Sequence, residues 1–445
     1  MHIQPSKSNS GSVLIIVLWI AIGLVSIALY FANSMNYELT ASDNRMNGLA
    51  ADQAIEGGAR YVAFVLQNFA TNGAMPNNTQ FKCSAVPVGD AKFWLIGRDP
   101  SAASGSSPTE PYFGLVDEGG KLNLNNVSTN VFQYLPNMTI DFANAIMDWR
   151  GTNGIVSLDY ASEGYASKNA PFETVDELKL VYGATKDLLV GDDVNRNGIL
   201  DKNEKNTGGS EINSGLLEDV TVYTREPNFH SDGSSLTNVN TASAATIRSL
   251  LQDAGISTSY VQTLTRTNAN ARPYAGMLKF ALACRNAGMS SSDFANIYNG
   301  ITTSTNLYLR NRVNVNTANA DVLTALFMGA NLDESTAESA ADTLISYRQE
   351  NPQALNSISW VIDALGTTSP ALTALAGGDY LTVHSYQFTA DIAAVGNYGR
   401  GYRRVKFIFD VSNGAPVILY RQDLSRLGWA LGEKARDNLA VNDTQ

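Results

Sequence analysis

Residues 1–39 read MHIQPSKSNSGSVLIIVLWIAIGLVSIALYFANSMNYEL, with no charged side chain between Lys7 and Glu38. From Val13 to Ala32 nearly every residue is apolar, and a run of about 20 such residues is what a helix needs to cross a bilayer. The flanks set the direction. Lys7 and the initiator amine lie on one side, with Glu38, Asp43, Arg45 and Asp52 on the other, so basic charge favours a cytoplasmic N-terminus and places the rest of the chain beyond the membrane. Downstream, Met35, Leu39, Met46, Leu49, Ala50, Ala54, Tyr61, Val65 and Phe69 recur near helical spacing. This predicts one helix running outward to a stop at Asn72-Gly73. Gly48, Gly57 and Gly58 each cost that helix about 1 kcal/mol relative to Ala, a cost expected where a sheet approaches the backbone closely.

Ala91 to Arg98 and Tyr112 to Val116 read as strands. So do Tyr380 to Ala390, Tyr402 to Val411 and Val417 to Tyr420, the last two joined at Asn413-Gly414, a hairpin signal. The middle, from about Lys121 to Ala376, reads as largely helical. A sheet whose strands come from both ends of a chain implies an insertion between them, which predicts an α+β fold: one long N-terminal helix on a small antiparallel sheet, with a large, mostly helical insert. At 445 residues several domains are expected. The net charge of −11 argues against a nucleic-acid surface, which needs clustered Lys and Arg. Cys83 and Cys284 are either a disulfide of an oxidising compartment or two buried thiols.

Within the insert a unit recurs: KLNLNNVSTNVFQYL (121–135), LTNVNTASAATIRSLL (236–251) and RVNVNTANADVLTALF (312–327). Each has an N-x-N piece, a polar cap and an apolar-periodic helix, and Asn or Thr there can accept the orphan N–H groups of a first helical turn. AIMDWR ending at Arg150 and TLISYR ending at Arg348 extend two of the copies, and both resemble helix-hairpin-helix or SAM-like modules. Modules of that kind bind DNA through a glycine-rich hairpin whose N–H groups take a phosphate. Here the turns read YLPNMTID and LFMGANLDES, and a phosphate would meet Asp141, Asp333 and Glu334. A packing scaffold is the expected role.

The most specific chemical signal is GDDVNRNGILDKNEKN (191–206). With Asp193 at position 1, the EF-hand spacing puts Asn195 at 3, Asn197 at 5, Gly198 at 6, the Ile199 carbonyl at 7, Asp201 at 9 and Glu204 at 12. Ca²⁺ takes six to eight hard oxygens; Gly198 permits the sharp turn and Glu204 can supply two oxygens. Leu200 is expected to point inward, and Asp192, Glu211 and Glu218 are further candidate ligands. With Asp193, Asp201 and Glu204 as the formal charges, affinity belongs on the order of 10⁻⁴ to 10⁻³ M. KNTGGSEINSG after Glu204 cannot form an exiting helix, so a structural loop is expected and not an opening sensor. A polar Asn/Gly turn that binds nothing is the alternative. His2, His230 and His384 read as isolated, no catalytic motif is present, and no enzyme is expected.

Gly11-Ser12 precedes the apolar run, where a secretory signal would have its small residue after a shorter core. A short polar leader, then Gly, then an apolar helix resembles a type IV prepilin leader, cut by prepilin peptidase between Gly11 and Ser12. The fifth mature residue of prepilins is usually Glu; counted from Ser12 it is Ile16. Lacking that Glu, and carrying VDEGGKLNLN, KNAPFETVDELKLVYG, DDVNRNGILDKNE, LLEDVTVYTRE and RVNVNTA, the chain resembles the minor pseudopilin K of type II secretion systems over most of its length. The resemblance implies a pilin-like fold and a non-enzymatic subunit at the pseudopilus tip. Other minor pseudopilins are its implied partners, the inner membrane its anchor, and its insert is expected to bind calcium. The expected divisions are a leader 1–11, a helix 12–72, the first part of the sheet 73–120, helical modules 121–228 and 229–377, closing strands 378–425 and a tail 426–445. Two alternatives stand beside this reading. One is an exported or anchored calcium-binding adhesin, with a Sec cut after Ala28 in Ser26-Ile27-Ala28 if it is processed. The other is a membrane-tethered DNA receptor.

Overall fold

The computed structural model describes residues 10–100, 108–151, 160–207, 212–265 and 272–441. It is a mixed helix-and-sheet molecule built on one helix, α1 (Ser10–Phe69). Among the described residues α1 is the one helix long and apolar enough to cross a membrane, and its most apolar window has mean hydropathy 2.8 with none of it buried. Residues 1–9 of the expected leader lie outside the described residues, while Gly11, Ser12 and Ile16 fall in the first turns of α1. The helix stops just before Asn72 (φ 54°) and Gly73 (φ 74°), both in the left-handed region that breaks helical hydrogen bonding.

The second half of α1 packs on an antiparallel sheet. Its strands are β1 (Val86–Val88), β2 (Ala91–Ile96), β3 (Val116–Asp117), β4 (Gln387–Val395), β5 (Arg403–Asp410) and β6 (Val417–Asp423), in the order β1-β2-β4-β5-β6, with β3 beside the start of β4. Alternation along β4 and β5 turns Phe388, Ala390, Ile392, Ala394, Val405, Phe407 and Phe409 toward α1, where they meet Ala51, Ala54, Ile55, Val62, Val65 and Leu66. The approach is close. A Cβ built on Gly58 would lie 3.1 Å from Ile392 Cγ2, and one on Gly57 3.2 Å from Val88 Cγ1. The predicted strand 380–390 is interrupted, with Leu381–Thr382 separated from β4. The tail 426–445 carries a helix, Gly432–Val441; Ala430 and Leu431 just before it pack with Trp94, Ile96, Ala393 and Val395 on the face opposite α1.

Between β3 and β4 lies the insert, whose apolar residues form one cluster separate from that of α1 and the sheet. Each N-x-N segment opens as a two-residue strand and pairs in parallel with a later one: Leu122–Asn123 with Val220–Thr221, Thr237–Asn238 with Ile301–Thr302, and Val313–Asn314 with Leu381–Thr382. The insert therefore closes on itself three times, and two of those closures fall within or across the single module expected at 229–377. The asparagines hold each closure. Asn123, Asn238 and Asn314 accept the N–H two residues on and donate Nδ2 to Thr224, Ser304 and Ser385 respectively. Asn125, Asn240 and Asn316 reach across to Phe172, Tyr274 and Leu355. Helix capping falls to other residues, such as Ser243 and Asn319.

Candidate metal centre

The loop 193–204 follows the short helix Lys186–Val190 and lies against the face of the sheet opposite α1. Its internal bonding follows from the residue types. Asp193 accepts the Asn197 N–H at 3.0 Å and the Gly198 N–H at 2.7 Å, on separate oxygens, and Gly198 makes the turn at φ 84°. Asn197 Oδ1 accepts the Ile199 N–H at 3.0 Å. Glu204 returns over the loop and takes the N–H groups of Asn195 and Asp201, one on each carboxylate oxygen, at 3.0 Å both.

Asn195 Nδ2 and Asn197 Nδ2 both donate to Asp201 Oδ2, at 2.5 and 3.1 Å, so the side chains of positions 3, 5 and 9 meet at one point. Asn195 Oδ1 is buried with no hydrogen-bond partner, a cost of about 1–3 kcal/mol unless something satisfies it. An amide carries a donor and an acceptor on one carbon, so a turn of the Asn195 amide would bring its unpartnered oxygen to that point in exchange for the Nδ2 bond to the Trp429 carbonyl, whereas Asn197 Oδ1 already holds the Ile199 N–H. Among the described residues no three His, Cys, Asp or Glu side chains gather as a metal cluster. The donor set of the loop is instead mixed: carboxylates of Asp193, Asp201 and Glu204, amides of Asn195 and Asn197, and the Ile199 carbonyl. Hard oxygens of this kind suit calcium, and the orphaned Asn195 oxygen fits a cation there. Burial pushes the Asp193 carboxyl up to about 6, with Arg98 opposing and Glu218 adding to the rise; an adjacent cation would favour its ionised form.

The further candidates are already engaged or undescribed. Asp192 is bound by the Thr207 N–H and hydroxyl at 2.9 and 2.7 Å, Glu218 by Arg98, and Glu211 lies outside the described residues. Ile199, and not Leu200, is the buried anchor of the loop; Leu200 is half-buried.

Sequence reasoning missed the seat. Arg404 of β5 is fully buried, forks onto Asp391 of β4 at 2.9 and 2.6 Å, and donates to the carbonyls of Asn195 and, at 2.8 Å, Arg196. Arg98, just past β2, forks onto Glu218 at 2.9 and 2.7 Å and donates to the same Arg196 carbonyl at 3.1 Å. A signal was present in YRRVKFIFD: alternation puts Arg404 and Lys406 on one face and Val405 and Phe407 on the other, and a charged face on a covered strand calls for partners. Those partners extend the layer, with Glu118 3.2 Å from Lys121 and bonded to Thr221 and Thr389.

A second network corrects the reading of His384 as isolated. Its Nδ1 lies 2.7 Å from Glu226 and its Nε2 3.0 Å from Asn299, while Arg312 bridges Glu226 at 3.2 Å and Asp379 at 2.8 Å. Asp333 caps a helix by accepting the Thr336 N–H, and Cys83 and Cys284 are free and buried.

No protein-family model matches the chain, and no curated protein matches it.

Proposed function

We propose that the chain is a non-enzymatic minor pseudopilin, the K type it resembles, standing at the tip of a type II secretion pseudopilus and supporting protein export across the outer membrane. The observation that carries this reading is α1: one uninterrupted helix is bare apolar surface at its start and the spine of the sheet at its end. An element that is both anchor and core fits a subunit drawn out of the inner membrane into a fibre, its N-terminus cytoplasmic and its bulk periplasmic. Prepilin peptidase would cut between Gly11 and Ser12.

Ile16 supports the tip position. In a pilus the carboxylate at that place answers a neighbour's terminal amine inside the membrane, where a lone charge costs several kcal/mol. A chain without it cannot answer a subunit above, yet its own amine can be met by the one below. The insert adds bulk that would obstruct an identical head. Other minor pseudopilins would pack on α1 from Tyr37 to Ala63, where Tyr37, Met46 and Leu49 are exposed. In the insert, Asp193, Asn195, Asn197, the Ile199 carbonyl, Asp201 and Glu204 would hold Ca²⁺, which supplies a structural tie. Asp333 and Glu334 stand where a DNA-binding hairpin would need bare N–H groups, which disfavours the receptor reading.

N-terminal sequencing of the mature chain tests the assignment. A start at Ser12, and accumulation of precursor when Gly11 is replaced by a bulky residue, is expected; a start at Leu29 refutes the leader. Gold labelling at regular intervals along the shaft would refute the tip.

A further inference from the structure

The carbonyls that Arg404 and Arg98 hold belong to the stretch carrying the third and fifth positions of the loop. Arg196 lies between Asn195 and Asn197 with φ 57°, a left-handed conformation that a non-glycine residue keeps only when its surroundings fix it. Its carbonyl receives two guanidinium donors from two different parts of the sheet, and the neighbouring Asn195 carbonyl receives a third N–H. Each guanidinium is neutralised by its own forked carboxylate, Asp391 or Glu218, so each unit delivers direction with little net charge.

We propose that Arg404, seconded by Arg98, is the positioning residue of the cation loop: the sheet sets the orientation of Asn195 and Asn197, so that filling the loop and docking the insert on the sheet are one coupled event. The inference rests on the calcium reading of the loop. Groups that orient metal ligands from behind change affinity by about 10- to 100-fold when removed. Linkage makes the effect reciprocal: what the sheet does for the cation, the cation does for the hold of the insert on the sheet. The sign separates positioning from simple electrostatics. Deleting a buried positive charge beside the loop should tighten cation binding if charge alone mattered, whereas loss of positioning weakens it.

The test is calorimetric titration of Ca²⁺ into the full chain in detergent micelles, beside amide exchange across 193–204 and 403–410. In the wild type, calcium is expected to bind and to slow exchange in both segments. Arg404→Met should weaken binding at least about tenfold and uncouple the strand from calcium. Arg404→Lys should not restore it, because an ammonium cannot serve Asp391 and two carbonyls in one plane. Unchanged or tighter binding by a cooperatively melting Arg404→Met overturns the inference alone. Absence of binding in the wild type overturns the calcium reading and the inference with it. Should Arg404→Met fail to fold, Arg98→Met carries the same sign, its side chain being partly exposed at the edge of the seat, with Glu218→Gln added so that no unpaired carboxylate is left.

Discussion

At Gly58 the backbone of α1 meets buried side chains of the sheet, and substitution there has a sign that the geometry decides. An added Cβ would sit 3.1 and 3.3 Å from Ile392 Cγ2 and Cδ1 and 3.3 Å from Phe93 Cδ2. Carbon pairs are comfortable at roughly 3.5–4.0 Å, and both neighbours are buried on strand backbone with nowhere to retreat. Gly58→Ala gains about 1 kcal/mol of helix propensity and loses about 1–3 kcal/mol to overpacking, so it should be neutral to moderately destabilising. Gly58→Leu adds three more carbons with no space and should lose a few kcal/mol beyond that. Gly57 is the control. Its Cβ would meet Val88 at 3.2 Å, but Val88 is half-buried on a short edge strand and can turn away, so Gly57→Ala should hold or raise stability. Ile392→Val removes Cδ1 at about 0.5–1.5 kcal/mol by itself, and combined with Gly58→Ala it should cost less than the sum. The assay is urea unfolding in micelles, followed by near-ultraviolet circular dichroism. Gly58→Ala exceeding Gly57→Ala in stability, or Gly58→Leu unfolding like the wild type, would refute the packing argument.

Glu204→Ala should abolish a calcium-dependent gain of about 2.7 kcal/mol at calcium roughly 100 times the dissociation constant, and equal wild-type midpoints in calcium and chelator would sink the structural-metal role. Burial pushes the Glu226 carboxyl up, but Arg312 and His384 outweigh it and hold it at about 2. A depressed carboxylate stabilises fully above the unfolded value near 4.5 and loses that stability as pH falls toward 2, on the order of 3 kcal/mol; Glu226→Gln should flatten that acid limb of the melting curve, and an unchanged limb counts against the network. Burial pushes the Cys83 thiol up to about 11 and the Cys284 thiol higher, so both should resist alkylation in the native chain and react once it unfolds, as mass spectrometry would show.

The spine of the fold was legible because its signals are long. Sixty residues of α1, its glycine face and its Asn-Gly stop stand out by periodicity, and β2, β5 and β6 by alternation and a hairpin turn. The turn of the loop was legible because its Asp, Asn and Gly follow local spacing, with Gly198 at the left-handed turn. The closures of the insert were not: a strand of two residues has no period to read, and its partner lies about a hundred residues away or fewer with no local mark. Arg404, Asp391 and Arg98 were missed for the same reason, since a buried ion pair is made by tertiary contact; Glu218, named as a candidate ligand, pairs with Arg98 instead. His384 looked solitary because Glu226 and Asn299 are distant in sequence. Of the two apolar residues after Gly198, Ile199 is the more buried and Leu200 half-buried.

Ile96 on β2 pairs with Asp391 on β4, and β4 is flanked by β2 and β5, so the middle of the sheet is supplied by a segment made after the whole insert. As the chain emerges, the buried face of α1 and the β1–β2 hairpin have no cover until that segment arrives. Closing so long a gap in a flexible chain is entropically slow. The insert shortens the gap once folded, because β3 and the start of β4 leave it side by side, Val116 opposite Thr389 and Asp117 opposite Phe388. The insert thereby becomes a clasp: a late segment of the chain is delivered to an early one, and the sheet acquires its central strand only after the insert is built.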